Sequence, residues 1–448
     1  MPFCIIVGAG KEAAVLKHKT EEAALVGRKI TAVFLLLAVS LFPLFFGFRG
    51  YQGIMEAKFA AFCVLFGGYA LAMPLSGVRL SPTGLWKTSS RVQRLVFLYM
   101  LLTWVSALLS PHFPRTLIGV SRYEGAVTIS LYCLCFLFVS VYGRAGGRLL
   151  AVFAAAVTLF CLLSLAQLFG FNPFWLYPAG TNYHDAFVRY AGAFIGTIGN
   201  TDLASAFLCV AVPVCWISLL RLRDRRRFLL LIPLLLSLAI LIGIRVSAGI
   251  LGVFVGGLLS LPVVLPAKNR TRLLIFGCVV CLLLLITAAL YLFDIGGGTL
   301  HEAHALLRGG ADESFGSNRL HIWRAVWEKI SERPLFGFGP DTMMEAGLEP
   351  FRRYDEALGE TIVAHIDTAH NEYLNILFHQ GLFALLSYLA ALLLLAVRWV
   401  KRSPASDACA VLGGAALCYG IQAFFGIGMC LTAPFFWLSI SLLDNAAR

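Results

Sequence analysis

The residues in this chain that could do chemistry are few, and they collect in three places. One is the run Ala369-His370-Asn371-Glu372-Tyr373-Leu374; a second is Arg319, four residues before Trp323; the third is a pair of short stretches, Arg189 to Asn200 and Arg245 to Ser247. Arginine stays charged and binds phosphate oxygens with two donors at once. A neutral histidine beside an anion site is suited to general-base work on a hydroxyl. The types together point to handling an anionic group and moving a proton near it.

The elements that must position these residues follow from local pattern. His370 falls at helical spacing with Tyr373, Leu374, Leu377 and Gly381, so a helix starting here would turn it inward. Thr368 is the expected cap, which places His370 in the first turn, where the helix-end potential and partial burial favour neutral imidazole. The same position would also suit a packed core histidine. Ser317 to Pro334 predicts an amphipathic helix, with Leu320, Trp323, Val326, Trp327 and Ile330 on its apolar stripe and His321, Arg324 and Glu328 opposite. Arg319 shares the apolar stripe, so it needs either an acidic partner or a ligand's negative charge. Arg245 stands where one apolar run meets the next, which admits a snorkelling interfacial residue or an arginine aimed into a polar cavity. Arg189 opens a glycine-containing stretch ending at Asn200, and reads as a solvated loop charge or a ligand. Thr201 is the expected cap of the following helix, with Asp202 in its first turn. His301, His304, His321 and His365 raise a metal site, but no His-Glu-x-x-His spacing or carboxylate cluster accompanies them, and no metal is expected. Cys278 and Cys281 lie inside an apolar run and read as small packing residues.

Only 13% of the 448 residues are charged, 59% are hydrophobic and the mean hydropathy is +0.82. Globular domains average about 25% charged residues, so the expectation is an all-α, polytopic integral membrane protein. Twelve apolar runs are long enough to suggest spans of about 20 residues each. They divide the chain into a cytoplasmic segment 1–29, a bundle of nine spans over 30–293, a large and partly helical extracytoplasmic loop 294–372, and three spans with a short tail over 373–448. The net charge of +12 does not imply nucleic acid, because its placement alternates: 23 of the 36 basic residues fall on one side of a twelve-span arrangement. That side is the cytoplasmic one by the positive-inside rule. Both termini are then cytoplasmic, and the polar island Asp294 to Glu372 faces out. No cleavable signal peptide is evident. Only Cys4 of the twelve cysteines lies clearly outside a span, which excludes a disulfide framework.

Ile198-Gly-Asn200 opening a helix, Arg319 to Ile322-Trp323 followed by Pro334-Leu-Phe-Gly-Phe-Gly-Pro340, and His370-Asn-Glu-Tyr-Leu374 leading into a span together resemble the O-antigen ligase and polymerase superfamily. The resemblance covers roughly residues 185–400. It implies transfer of a glycan from a polyprenyl-pyrophosphate carrier to a hydroxyl on a lipid, a sugar or a protein, at the outer face of the cytoplasmic membrane, by an inverting attack. It implies no cofactor, no nucleotide and no metal. It also implies that His370 matches the loop histidine near the acceptor, and that Arg189 and Arg245 correspond to the two arginines at the pyrophosphate. Arg319, Asn200 and Tyr373 join them as substrate-binding residues. Arg245 stands two positions before Ser247, whereas the family's second arginine usually follows a serine, and Asn200-Thr-Asp202 stands where Asn-Pro-Asn is usual. A multi-span transporter or flippase is the competing class, but no paired halves and few acids within spans are visible.

Overall fold

Hydrocarbon offers backbone N–H and C=O groups no water, so apolar runs of this length close their hydrogen bonds internally as helices. The computed structural model describes residues 3–78, 89–185, 190–310, 315–355 and 360–448. In chain order the helices are α1 (Phe3–Leu44), α2 (Gly50–Leu75), α3 (Arg91–Leu109), α4 (Ala126–Tyr142), α5 (Gly147–Leu168), α6 (Thr201–Arg221), α7 (Arg225–Gly243), α8 (Ser247–Val264) and α9 (Asn269–Leu292). They continue with α10 (Gly298–Leu307), α11 (Phe315–Ile330), α12 (Glu372–Arg402), α13 (Asp407–Gln422) and α14 (Ala433–Ala446). Two small antiparallel hairpins complete the described residues: β1 (Phe194–Ile195) with β2 (Gly199–Asn200), and β3 (Phe351–Asp355) with β4 (Glu360–Ala364). The protein is a polytopic all-α membrane protein, as expected.

Nine helices among the described residues are long and apolar enough to cross a bilayer. The other three expected runs form the shorter α4, α13 and α14, of 17, 16 and 14 residues. The last two are joined by a non-helical stretch in which Ile427, Met429, Cys430 and Leu431 are all buried. Irregular backbone is tolerated at such depth only where protein covers it, so the short pair and its buried connection fill the volume a longer pair would have taken.

The connections sort to two ends of the bundle. At one, Arg221 reaches Asp407 and the Ser403 carbonyl, Asn445 reaches the Ser140 carbonyl, and Ser90, Arg398 and Arg448 converge on Asp444. At the other, Tyr51 donates to the Gly196 carbonyl, Thr197 to that of Pro43 and Arg333 to that of Leu109, while the Glu372 N–H meets the Ala423 carbonyl. The arginine-rich clusters therefore share one end and the polar island occupies the other. Two of the basic residues counted on that side, Arg79 and Lys87, lie outside the described residues.

A broken helix fixes the island to the bundle. Gly381 interrupts α12 at φ 82°, ψ −179°, and the turn Pro334 to Pro340 enters the break. Phe338 and Gly339 donate N–H groups to the carbonyls of Phe378 and His379, and Leu382 donates to that of Pro334. The carbonyls freed by the break thus find partners inside the protein. A Cβ at Gly381 would stand 2.3 Å from the Leu335 oxygen, so the close approach of the two backbones requires glycine. Cys278 and Cys281 are free and exposed on the flank of α9, rather than packed as expected.

Candidate active site at the island end

Helix α11 docks by its residues four apart. Ile322, Val326 and Ile330 are buried against Phe338, Ile366, Ala369 and Phe378. Trp327, expected on that stripe, is 64% exposed, because the buried face is narrower than the run of apolar residues. Trp323 instead ties α11 to the chemistry-bearing loop: its indole N–H donates to the Ala369 carbonyl at 2.8 Å, with its ring against Phe424 and Phe425. Arg319, one turn earlier, donates an Nη1 bond to the Gly316 carbonyl at 2.8 Å. Its Nε is a buried donor with no acceptor among the described residues.

His370 sits one step outside the helix it was expected to begin. Asn371, not Thr368, is the N-cap of α12, its side chain accepting from the Leu374 N–H at 3.0 Å. Thr368 is occupied elsewhere, taking the Asn375 amide at 2.8 Å while the same amide's oxygen accepts from the Ala369 N–H. His370 is left between them with φ +48°. A left-handed backbone at a bulky residue costs on the order of 1–3 kcal/mol, and the bonds on either side hold it there. Tyr373, in the first turn of α12, donates to the Gly420 carbonyl at 2.7 Å, so it braces α12 against α13.

The loop between α3 and α4 supplies residues that sequence reasoning missed. Asp341, just after the inserted turn, accepts from the backbone N–H of Arg122 at 2.8 Å, the Ser121 N–H at 3.2 Å and the Ser121 hydroxyl at 2.9 Å. Gly119, at φ +102°, leaves room for this carboxylate: a Cβ there would lie 2.1 Å from Asp341 Oδ2. With its backbone so fixed, Arg122 extends Nη2 to Asp367 at 2.7 Å, three residues before His370, and Nη1 to the Met429 sulfur at 3.4 Å. Its Nε is a second buried donor with no acceptor among the described residues. Beside it, Glu124 accepts from the buried Tyr132 hydroxyl at 2.8 Å. Burial pushes the Glu124 carboxyl well up, the Tyr132 bond offsets part of that, and the nearby Asp341 charge adds to it. The available signal was Gly119-Val-Ser-Arg-Tyr-Glu-Gly125 itself, a polar, glycine-bounded stretch between two apolar runs.

Asn200 is the N-cap of α6, accepting from the N–H groups of Asp202 at 2.8 Å and Leu203 at 3.4 Å. Thr201, the expected cap, is the first helical residue. The Asp202 carboxylate lies within electrostatic reach of both Arg319 and Arg122. Arg245 is apart from this group, exposed on the α7–α8 turn at φ +55°. Its charge acts on Tyr183, whose hydroxyl is pushed up by burial and partly relieved by Arg245. Arg189 lies outside the described residues. Among the described residues no group of three or more His, Cys, Asp or Glu could hold a metal ion; His301 pairs with Asp294 at 2.9 Å and His304 faces the Leu290 carbonyl.

A multi-pass helical bundle with a polar island at the end opposite its arginine-rich clusters defines the class. Within that class, residues 232–389 match the O-antigen ligase family, which supports placing the chain in the O-antigen ligase superfamily. The match runs from α7 into α12 and contains Arg245, Arg319, His370 and Tyr373; Arg122, Arg189 and Asn200 precede it. No curated protein matches the chain. The family suggests a membrane glycosyltransferase of the ligase or polymerase kind, acting on glycan and lipid-linked substrates.

Proposed function

We propose that the protein moves a glycan from a polyprenyl-pyrophosphate carrier to an acceptor hydroxyl on the outer face of the cytoplasmic membrane, with the island end as its site. The observation that carries this reading is the convergence of Arg122 and the Arg319-bearing helix α11 on the His370 segment, through the Arg122–Asp367 pair and the Trp323–Ala369 bond, from elements far apart in the chain. The placement of positive charge supports the orientation: the arginine-rich end faces the cytoplasm with both termini, and the island faces out.

The acceptor oxygen forms its bond to the anomeric carbon on the face opposite the pyrophosphate. The carbon–oxygen bond to pyrophosphate breaks and its electron pair leaves with the carrier. The hydroxyl proton passes to the His370 imidazole and then to solvent. Arginines stabilise the growing charge on the departing pyrophosphate; one contact at about 4 Å in a medium of effective dielectric near 20 is worth roughly 4 kcal/mol before desolvation. Arg319 and Arg122 each bring a buried Nε donor to this task. Arg245 and Arg189 are assigned to the pyrophosphate by the family resemblance, while Asn200 fixes the start of α6 and Tyr373 the start of α12. The step uses no nucleotide or metal. The acceptor is a lipid, a glycan or a protein, so ligase, polymerase and protein O-oligosaccharyltransferase all share this chemistry.

The test combines purified protein, a defined polyprenyl-pyrophosphate sugar and a hydroxyl acceptor, with chelator present. Transfer with inverted anomeric configuration and release of polyprenyl pyrophosphate is expected. Retained configuration, or transfer only after a metal is restored, would overturn the mechanism.

A further inference from the structure

A cavity of about 260 Å³ opens far from the island, among α1, α5, α6, α13 and α14. Its walls are almost wholly apolar. Val210, Val214, Ser218 and Leu222 form one stripe of α6 along it, and at 1.5 Å per residue that stripe is about 18 Å long. One leaflet's share of a hydrocarbon core about 30 Å thick is about 15 Å. Phe153 and Phe435 line its deeper part and pack on Phe207 behind them, with ring centroids 6.0 and 4.7 Å away. The open end is at the arginine-rich face, where Gly146, Gly147, Leu222 and Asp407 line the mouth.

Positive charge predominates at the mouth. Arg144, Arg148 and Arg223 adjoin the lining residues and are exposed. The acids there are already engaged: Asp407 holds Arg221 at 2.7 Å, and Asp224 caps the start of α7 through the Arg226 N–H at 3.0 Å. A cation-rimmed, leaflet-deep apolar slot between helices is what a phospholipid with a negatively charged headgroup complements. Its acyl chain removes apolar surface from water and its phosphate meets guanidinium groups.

We propose that this crevice is a binding site for one anionic phospholipid of the leaflet at the arginine-rich face. The chain lies along α6 and the headgroup rests on Arg144 and Arg148. This does not rest on the transfer reaction, because both arginines and the slot are remote from the island. A long polyprenyl chain is the weaker candidate, since the lining stripe of α6 extends only about one leaflet.

Native mass spectrometry of the purified full chain, exchanged separately with phosphatidylglycerol, phosphatidylcholine and a polyprenyl phosphate, tests the proposal. The wild type should retain one phosphatidylglycerol at least about fivefold better than phosphatidylcholine. Val214→Phe, which fills the slot, should remove the bound lipid. Arg144→Gln with Arg148→Gln should abolish the headgroup preference while leaving chain binding. If Val214→Phe does not accumulate, the exposed arginine pair decides alone. Equal retention of the two phospholipids by wild type, a preference unchanged by the arginine pair, or displacement of phosphatidylglycerol by polyprenyl phosphate would overturn it.

Discussion

Both ends of this bundle carry arginines paired with acids, but the two ends use them differently. At the arginine-rich end the partners are helix termini: Arg398, Arg448 and Ser90 converge on the fully buried Asp444, and Arg221 holds Asp407. Those contacts clamp α3 and α12 to α14, and α6 to α13. At the island end the arginines come from irregular segments or the first turn of a helix. Arg122 and Arg319 each keep a buried donor without an acceptor among the described residues. The acids at the arginine-rich end are closed by their own partners, although Arg272 there also keeps a buried Nε without an acceptor among the described residues; at the island end two such donors, on Arg122 and Arg319, remain for an anion. Counting charge finds the first end, while burial and hydrogen bonding find the second.

The largest effect that would sharpen this contrast is at His370. His370→Ala should lower turnover by about 10²–10⁴-fold, with carrier binding kept because the arginines hold the pyrophosphate. Full turnover in that variant would remove the proposed base. Next comes Arg319→Ala, with an expected loss in kcat of about 10²–10³-fold, the scale for deleting one preorganised donor to developing charge. Arg319→Lys should recover little, since lysine lacks the two-donor fork; a near-normal lysine variant would show that charge alone suffices.

Arg122 and Asp367 make a smaller, diagnostic pair. Arg122→Ala and Asp367→Asn, singly and together, should give a double-mutant coupling of about 0.5–3 kcal/mol in kcat/KM, because each acts on the His370 segment through the other. Strict additivity would mean the pair is only structural decoration. At the opposite end, Asp444→Asn should cost stability, about 0.5–3 kcal/mol, and leave transfer per folded molecule unchanged. A turnover defect without a shift in Tm would break the comparison between the ends.

The smallest effect concerns Glu124. Its carboxyl is pushed up by burial, so the folded state holds this proton more tightly than the unfolded chain does. The associated stability is full below the ordinary glutamate value of about 4.3 and is lost as pH rises through the raised folded value. Glu124→Gln should therefore flatten the fall in thermal stability above about pH 4.3, read by intrinsic fluorescence. An unchanged slope would place the pH dependence elsewhere.

The helical class was legible because apolar length alone dictates helices in lipid. The break at Gly381 was not, since a glycine inside an apolar run gives no sign that another backbone will enter there. The His370 segment could be singled out from its polar neighbours, but its cap could not be assigned. Thr368 and Asn371 can both cap, and the choice was settled by Asn375 claiming Thr368. Arg122 was overlooked because its role depends on Asp341, more than two hundred residues later, which fixes its backbone. Trp327 shows the reverse failure, where correct helical spacing did not guarantee burial.

Which end binds the carrier can be measured directly with a photoreactive polyprenyl-pyrophosphate probe, activated in membranes containing the wild-type chain and mapped by peptide mass spectrometry. Crosslinks should fall on the α3–α4 loop around Arg122, on the start of α11 around Arg319, and on residues 366–371, and excess unlabelled carrier should suppress them. Crosslinks confined to the arginines around 144–148 and 221–227 would contradict the placement of the transfer site at the island end.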